Sequence, residues 1–150
     1  MTPEGHHLRL TRTIPAPRER VFRAWTDARE MRRWFSPVGF TTPFAEAEAT
    51  TGGRWRVGMK PPEGEVVYAS GTFREIRPPE RLVFTWAWEA ADSPYPGETL
   101  VTVEFRARGD ETEVTLTHEL LPSTDATAHH RSGWEGCLAS LGAAMERAGD

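Results

Sequence analysis

The strictest pattern in the sequence is an alternation of large apolar side chains over residues 81–88. Leu82, Phe84, Trp86 and Trp88 occupy every second position, with smaller residues between them. A period of two is that of a β-strand, in which successive side chains point to opposite faces of a sheet. Because removal of large apolar side chains from water lowers the free energy of the protein, this face is predicted to be covered by a second layer.

Period-two patterns recur in six further segments that are bounded by turn residues. They cover residues 6–14, 44–48, 54–59, 66–76, 99–105 and 113–120. In the last segment the pattern predicts one apolar face that carries Val114, Leu116, His118 and Leu120. The sequence thus predicts an antiparallel sheet of about six to seven strands.

Two short helices are predicted between the first two strands. Pro17 suits the first turn of a helix, and Asp27 followed by Glu30 has the spacing of a capping box that opens a second helix. Apolar residues follow at helical spacing, at Val21, Phe22, Trp25, Met31, Trp34 and Phe35.

A long C-terminal helix is predicted from one apolar stripe, formed by Trp134, Cys137, Leu138, Leu141 and Met145. Gly133 and Gly136 lie in this pattern, although glycine costs a helix about 1 kcal/mol relative to alanine. Close packing against these glycines is the favoured explanation. Alternatively, Ser132 and Glu135 form a capping box and the helix begins there.

The chain length, the cysteine count and the lack of long apolar runs favour one α+β domain over residues 1–150 in the cytoplasm. A chain of 150 residues can bury its own core, and Cys137 has no second cysteine with which to form a disulfide. No apolar run is long enough to span a membrane, and no secretory leader is recognisable. A net charge of −4 argues against a nucleic-acid partner. Residues 1–36 nevertheless hold 8 arginines against 4 acidic residues, so the first helices could present a basic face.

Five motifs in the same order resemble those of the helix-grip, or START-like, superfamily. They are AWTDAREMRRWFSP from Ala24, TGGRWRVGM from Thr51, PPERLVFTW from Pro78, LTHEL from Leu116 and GWEGCLASL from Gly133. The branch with the greatest similarity is named for the activator of the ninety-kilodalton heat-shock protein's ATPase. The resemblance implies a curved antiparallel sheet wrapped around the long C-terminal helix, with a cavity between them.

The inward faces of the predicted strands and of the last helix would converge on that cavity. A small apolar or aromatic ligand is predicted to bind there, and the alternative is a packed core without a ligand. The candidate ligand-binding residues are Trp55, Val57, Met59, Phe73, Trp86, Trp88, Val103, His118, Trp134, Leu138 and Leu141.

The polar residues give little support for catalysis. His118 interrupts an apolar face, and a hydrogen-bonded core histidine is favoured over a ligand-binding or acid–base residue. Cys137 is interpreted as apolar filler, because a cysteine–histidine pair would also need an orienting group and an oxyanion site. The adjacent histidine pairs at 6–7 and 129–130 lack the spacing of a metal site. Gly52-Gly53 precedes a strand and not a helix, so it provides no helix N-terminus that could bind a phosphate group. No catalytic residue, metal or cofactor is predicted.

Three functional hypotheses follow, and a ligand-binding domain is the leading one. The second is a co-chaperone-like or stress-related module that contacts a chaperone or another protein through the arginine-rich first helices, around Arg32 and Arg33. The third is a cyclase-like enzyme that uses His118 and Tyr68 as acid and base. The oligomeric state has no signature in the sequence.

Overall fold

A single antiparallel sheet of seven strands makes up most of the computed structural model, which describes residues 6–148. Its spatial order is β1-β7-β6-β5-β4-β3-β2. The strands are β1 His6–Ile14, β2 Thr41–Ala47, β3 Arg54–Lys60, β4 Val67–Arg77, β5 Arg81–Trp88, β6 Thr99–Arg108 and β7 Glu111–Leu121. Strands that are adjacent in the sheet are consecutive in the chain, except that β1 pairs with β7 at one edge.

Three helices complete the fold: α1 Arg18–Thr26, α2 Ala28–Met31 and α3 Thr124–Ala148. The long helix α3 packs over β1 and β7 and covers one face of the sheet. The predicted α+β helix-grip architecture, with two short helices after the first strand, is therefore confirmed. No helix among the described residues is both long and apolar enough to cross a lipid bilayer.

The short helices connect β1 to β2. Pro17 is the N-cap of α1, one position earlier than predicted, since its extended ψ of 154° precedes the first helical residue. Asp27 caps α2 as predicted, and its Oδ1 accepts hydrogen bonds from the backbone N–H groups of Arg29 and Glu30 at 2.9 and 3.4 Å. Helix α2 ends at Met31, so Trp34 and Phe35 lie on the following turn.

Strand β7 departs from the predicted alternation near its end. Leu120 was predicted to share the apolar face with His118, but it is half exposed and Leu121 is buried instead. The backbone of Leu120 has φ 65°, a left-handed conformation that is uncommon for leucine. This irregularity shifts the register of β1 against β7 between His6 and Leu8, and it reverses the face on which the next side chain lies.

Helix α3 begins at Thr124 and continues through both glycines, so the alternative start at Ser132 is wrong. The predicted close packing applies to Gly136. A Cβ at this position would lie 2.8 Å from the backbone nitrogen of Val38. At Gly133 the nearest atom to an added Cβ is Cγ of Pro37, 4.0 Å away. The segment after α2 thus packs directly against α3, at one glycine and not at the other.

Candidate functional site

A cavity of about 910 Å³ lies between the sheet and the middle of α3. Its walls come from residues 37–40, the β3–β4 hairpin, β5, the β5–β6 loop and α3. Aromatic rings make up much of the lining: Phe40, Tyr68, Trp86, Trp88, Tyr95 and Trp134. A cavity of this size and composition is typical of sites for small apolar ligands.

Four of the eleven candidate residues lie on this wall, namely Met59, Trp86, Trp88 and Trp134. The other seven are buried behind it and do not line the cavity: Trp55, Val57, Phe73, Val103, His118, Leu138 and Leu141. The predicted inward faces do converge beneath α3. Only the half nearest the β3–β4 hairpin and the β5–β6 loop borders open space.

Side chains from α1 and from the turn after α2 fill the other half. The ring of Phe35 stacks on Trp86, with a centroid separation of 6.2 Å and an interplanar angle of 13°. Trp25 stacks on Trp134 at 6.0 Å, on the side that faces the core. Both residues are 2% exposed. Although the sequence predicts that these residues lie on apolar helix faces, it gives no sign that they project between the sheet and α3.

Trp55 shows how a predicted cavity residue is held in the core. Its indole Nε1 donates a hydrogen bond to the carbonyl oxygen of Thr85, 3.0 Å away. The backbone of β4 can approach this carbonyl because residue 71 is a glycine, and an added Cβ there would overlap the Thr85 oxygen. The ring of Trp55 packs against those of Trp86 and Phe35, with centroid separations of 5.3 and 6.2 Å, and does not line the cavity.

A fully hydrogen-bonded chain surrounds His118 just behind the wall. Nε1 of Trp134 donates to Nδ1 of His118 at 3.0 Å. Because an indole can only donate, Nδ1 carries no proton, and Nε2 holds the proton of the neutral ring. Nε2 then donates to Oγ1 of Thr99 at 2.7 Å. The Thr99 hydroxyl in turn donates to the carbonyl oxygen of Trp86 at 3.0 Å.

The environment of His118 keeps it uncharged. The residue is fully buried, and burial lowers its pKa to about 3, with His130 acting in the same direction. It neither lines the cavity nor has a free ring nitrogen. The favoured interpretation of a hydrogen-bonded core histidine describes this geometry.

His130 forms a second such unit, and it does line the cavity. Nε1 of Trp88 donates to its Nε2 at 3.0 Å, while its Nδ1 donates to the carbonyl oxygen of Ala126 at 2.7 Å. Burial lowers the pKa of His130 as well. The two neutral rings lie 5.2 Å apart and hold opposite tautomers. Each histidine thus fixes one tryptophan of the wall, although no pattern in the sequence indicates this role for His130.

The β5–β6 loop, residues 89–98, is tied to α3 across the cavity. The hydroxyl of Tyr95 donates to Oδ2 of Asp125 at 2.9 Å, and this bond raises the pKa of Tyr95. The ring of Tyr95 also lies 5.0 Å from that of His129 and 5.5 Å from that of His130. These contacts hold the loop over one side of the cavity.

The mouth of the cavity carries exposed apolar side chains. Val38 is 73% exposed and Val67 is 40% exposed, and both belong to the lining. Cys137 lies deeper on the same wall, and burial raises the pKa of its thiol, so it is protonated at neutral pH. Among residues 6–148 there is no group of three or more metal-ligating side chains.

The basic face predicted for the first helices is present in part. Arg23, Arg29, Arg32 and Arg33 are exposed on α1, α2 and the turn that follows. Arg33 contacts Glu30 at 3.5 Å, whereas the other three form no ion pair within the described part of the chain.

Several solved structures share this fold over nearly the whole chain. A protein of Chromobacterium violaceum is 27% identical, with a TM-score of 0.84 over 93% of this chain and 96% of that one. The AHSA1 protein from Silicibacter pomeroyi is also 27% identical, with a TM-score of 0.81 over 92% and 96%. An HSP90 activator from Plasmodium falciparum is 25% identical, with a TM-score of 0.71 over 91% and 94%.

No curated protein matches the sequence significantly. The model of one protein family, described as activator of Hsp90 ATPase homolog 1-like protein, matches residues 15–146. This range includes α1, all strands from β2 to β7 and most of α3. The resemblance drawn from the five motifs is confirmed, and the chain belongs to the family of activator of Hsp90 ATPase homolog 1-like proteins.

Proposed function

We propose that this protein is a binding domain for a small apolar or aromatic molecule, which occupies the cavity between β5 and α3. The observation that carries the proposal is the aromatic wall, in which Trp86, Trp88 and Trp134 border open space of about 910 Å³. Domains of this superfamily often bind hydrophobic ligands, and a cavity of this volume accommodates a molecule of drug-like size.

The free energy of such binding comes from removing apolar surface from water. A ligand that buries roughly 200 Å² of apolar surface gains about 5 kcal/mol before the entropic cost of association is subtracted. Two of the three tryptophans of the wall are already oriented, because His118 holds Trp134 and His130 holds Trp88 by hydrogen bonds. A preorganised wall lowers the cost of ordering side chains when the ligand enters.

Native mass spectrometry of gently purified protein tests this proposal. We expect either a bound small molecule that is lost on organic extraction, or an empty protein that binds the neutral fluorophore N-phenyl-1-naphthylamine with a stoichiometry of one. An empty protein that binds neither this fluorophore nor any other apolar probe would overturn the proposal.

A second candidate function is contact with a partner protein through the exposed arginines Arg23, Arg29 and Arg32. Its support is that these side chains form no ion pair within residues 6–148, and that one structure of the same fold is described as an HSP90 activator. An acidic surface on a chaperone would suit them.

Pull-down at low salt with immobilised protein tests this second function. Charge reversal by Arg29→Glu and Arg32→Glu should release a chaperone partner, whereas the same reversal at Arg106, an exposed residue of β6, serves as the control. If the partner stays bound to the reversed protein, this function is wrong.

A further inference from the structure

The cavity opens between two loops whose charge is mostly negative. Residues 60–66 and 89–98 carry five carboxylates, Glu63, Glu65, Glu89, Asp92 and Glu98, against the single basic residue Lys60. Glu89 is paired with Arg56 and Glu98 with Arg74. The other three carboxylates form no ion pair within the part of the chain that the structure describes. These two loops thus give their side of the entrance a net negative charge, which attracts cations and repels anions.

Inside the cavity there is no positive side chain to receive an anion. None of its lining residues is a lysine or an arginine, and Asp92 is its one carboxylate. An anionic headgroup that entered would lose its hydration without gaining an ionic partner. The faces of aromatic rings, in contrast, carry negative partial charge and attract organic cations.

The basic residues nearest in the chain do not reverse this charge. Arg56 lies over the ring of Tyr68, with Cζ 4.0 Å from the ring centroid. Its guanidinium donates two hydrogen bonds to the carboxylate of Glu89, at 2.8 and 2.9 Å, and is therefore neutralised. Lys60 is exposed and, like Glu63 and Glu65, lies outside the lining, so its single charge offsets only one of the three carboxylates that form no ion pair within residues 6–148.

We infer that the cavity selects its ligands by charge, and that it takes organic amines or quaternary ammonium compounds with an apolar body in preference to carboxylates. This inference rests on the proposed function, since it assigns a ligand class to the same cavity. An acidic entrance draws the cation in, and the aromatic wall then holds both its charge and its apolar body.

Competition between three matched ligands tests the inference. N-phenyl-1-naphthylamine, which is neutral, is displaced by 4-phenylbutylamine, 4-phenylbutanol or 4-phenylbutyrate, which share one apolar body and differ in headgroup charge. The titrations are run at pH 8, where histidine is uncharged. We expect the amine to displace the fluorophore at a concentration about three- to tenfold lower than the alcohol does. The carboxylate should require a higher concentration than the alcohol.

Removal of carboxylates at the entrance should reduce the preference for the amine over the alcohol. The variant with Glu63→Gln and Glu65→Gln, two residues outside the lining, should bring the displacing concentration of the amine closer to that of the alcohol while leaving that of the alcohol unchanged. Asp110→Asn is the control, because the β6–β7 turn lies at the other end of β6 from the β5–β6 loop.

The outcomes separate this inference from the proposed function. If the fluorophore binds and all three ligands displace it equally, or the carboxylate displaces it best, the charge selection is wrong while the binding function stands. If the fluorophore and all three ligands fail to bind, the proposed function fails and the inference fails with it.

Discussion

Nε1 of Trp134 donates a hydrogen bond to Nδ1 of His118 over 3.0 Å, and this bond joins the middle of α3 to β7. Both residues are buried, and Trp134 also borders the cavity. One bond therefore connects the core to the candidate ligand site. It orients the indole that forms part of the wall.

Replacing His118 with leucine should leave the indole N–H of Trp134 buried without an acceptor. We expect His118→Leu to lower the free energy of unfolding by about 1–3 kcal/mol, measured by urea denaturation. A double-mutant cycle with Trp134→Phe isolates the energy of the bond. The unfolding free energies lost in the two single variants should add up to at least about 1 kcal/mol more than the loss in the double variant. Strict additivity would show that the bond has no energetic consequence.

Acid should destabilise the protein through the same histidine. Burial lowers the pKa of His118 to about 3 in the folded state, whereas an unfolded histidine has a pKa of about 6.5. The unfolded chain therefore binds the proton first, so the stabilisation is complete above pH 6.5 and is lost as the pH falls towards 3. Between pH 7 and 5 the loss from one such histidine is about 2 kcal/mol.

Denaturation curves at pH 7, 6 and 5 check this pH dependence. His130 contributes in the same direction, because burial lowers its pKa too. His118→Leu should flatten the dependence without removing it. Equal slopes for the wild type and this variant would contradict the assignment of a neutral His118.

Two glycines of α3 should respond oppositely to the same substitution. Gly133→Ala places a methyl group 4.0 Å from Pro37 and removes the entropic penalty of glycine, so it should raise stability by up to about 1 kcal/mol. Gly136→Ala forces a methyl group to within 2.8 Å of the Val38 backbone and should lower stability. Thermal unfolding of the two variants compares them directly, and similar shifts in their unfolding temperatures would contradict the close packing of Val38 against Gly136.

The bond between Tyr95 and Asp125 should control how often the β5–β6 loop opens. Tyr95→Phe removes the hydroxyl while keeping the ring against His129 and His130. We expect amide hydrogen exchange in residues 89–98 to accelerate about threefold or more, since a net hydrogen bond contributes about 1 kcal/mol. Asp125→Asn is the milder control, because its amide oxygen can still accept the bond. Unchanged exchange in Tyr95→Phe would show that the loop is held by other contacts.

The period of the apolar residues was enough to predict the sheet and the last helix. Alternation in β5 and the stripe on α3 are local patterns, and burial of one face follows from them directly. The irregularity at Leu120 could not be predicted in this way. A period of two places residues 118 and 120 on one face, and a single left-handed residue near the end of the strand reverses that order.

The candidate site was predicted in part, because local patterns show which faces are buried but not which part of a buried face borders the cavity. Met59, Trp86, Trp88 and Trp134 border the cavity, whereas Trp55 and Val57 on the same predicted face do not. The difference arises because Phe35 projects from the turn after α2 into the space between sheet and helix. Contacts between distant segments decide which part of a buried face remains open, and no local pattern encodes them.

Fluorophore binding to a cavity-filling variant tests the central claim most directly. Gly133 lines the cavity and has room for a side chain, so Gly133→Leu should occupy the ligand space without unfolding α3. Gly142→Ala, on the same helix but away from the cavity, is the matched control, with ordinary contacts to Arg12 and Ile14. We expect N-phenyl-1-naphthylamine to bind the wild type and Gly142→Ala saturably, and Gly133→Leu at least about tenfold more weakly. Equal binding to all three folded proteins would place the ligand elsewhere and contradict the assignment of this cavity as the binding site.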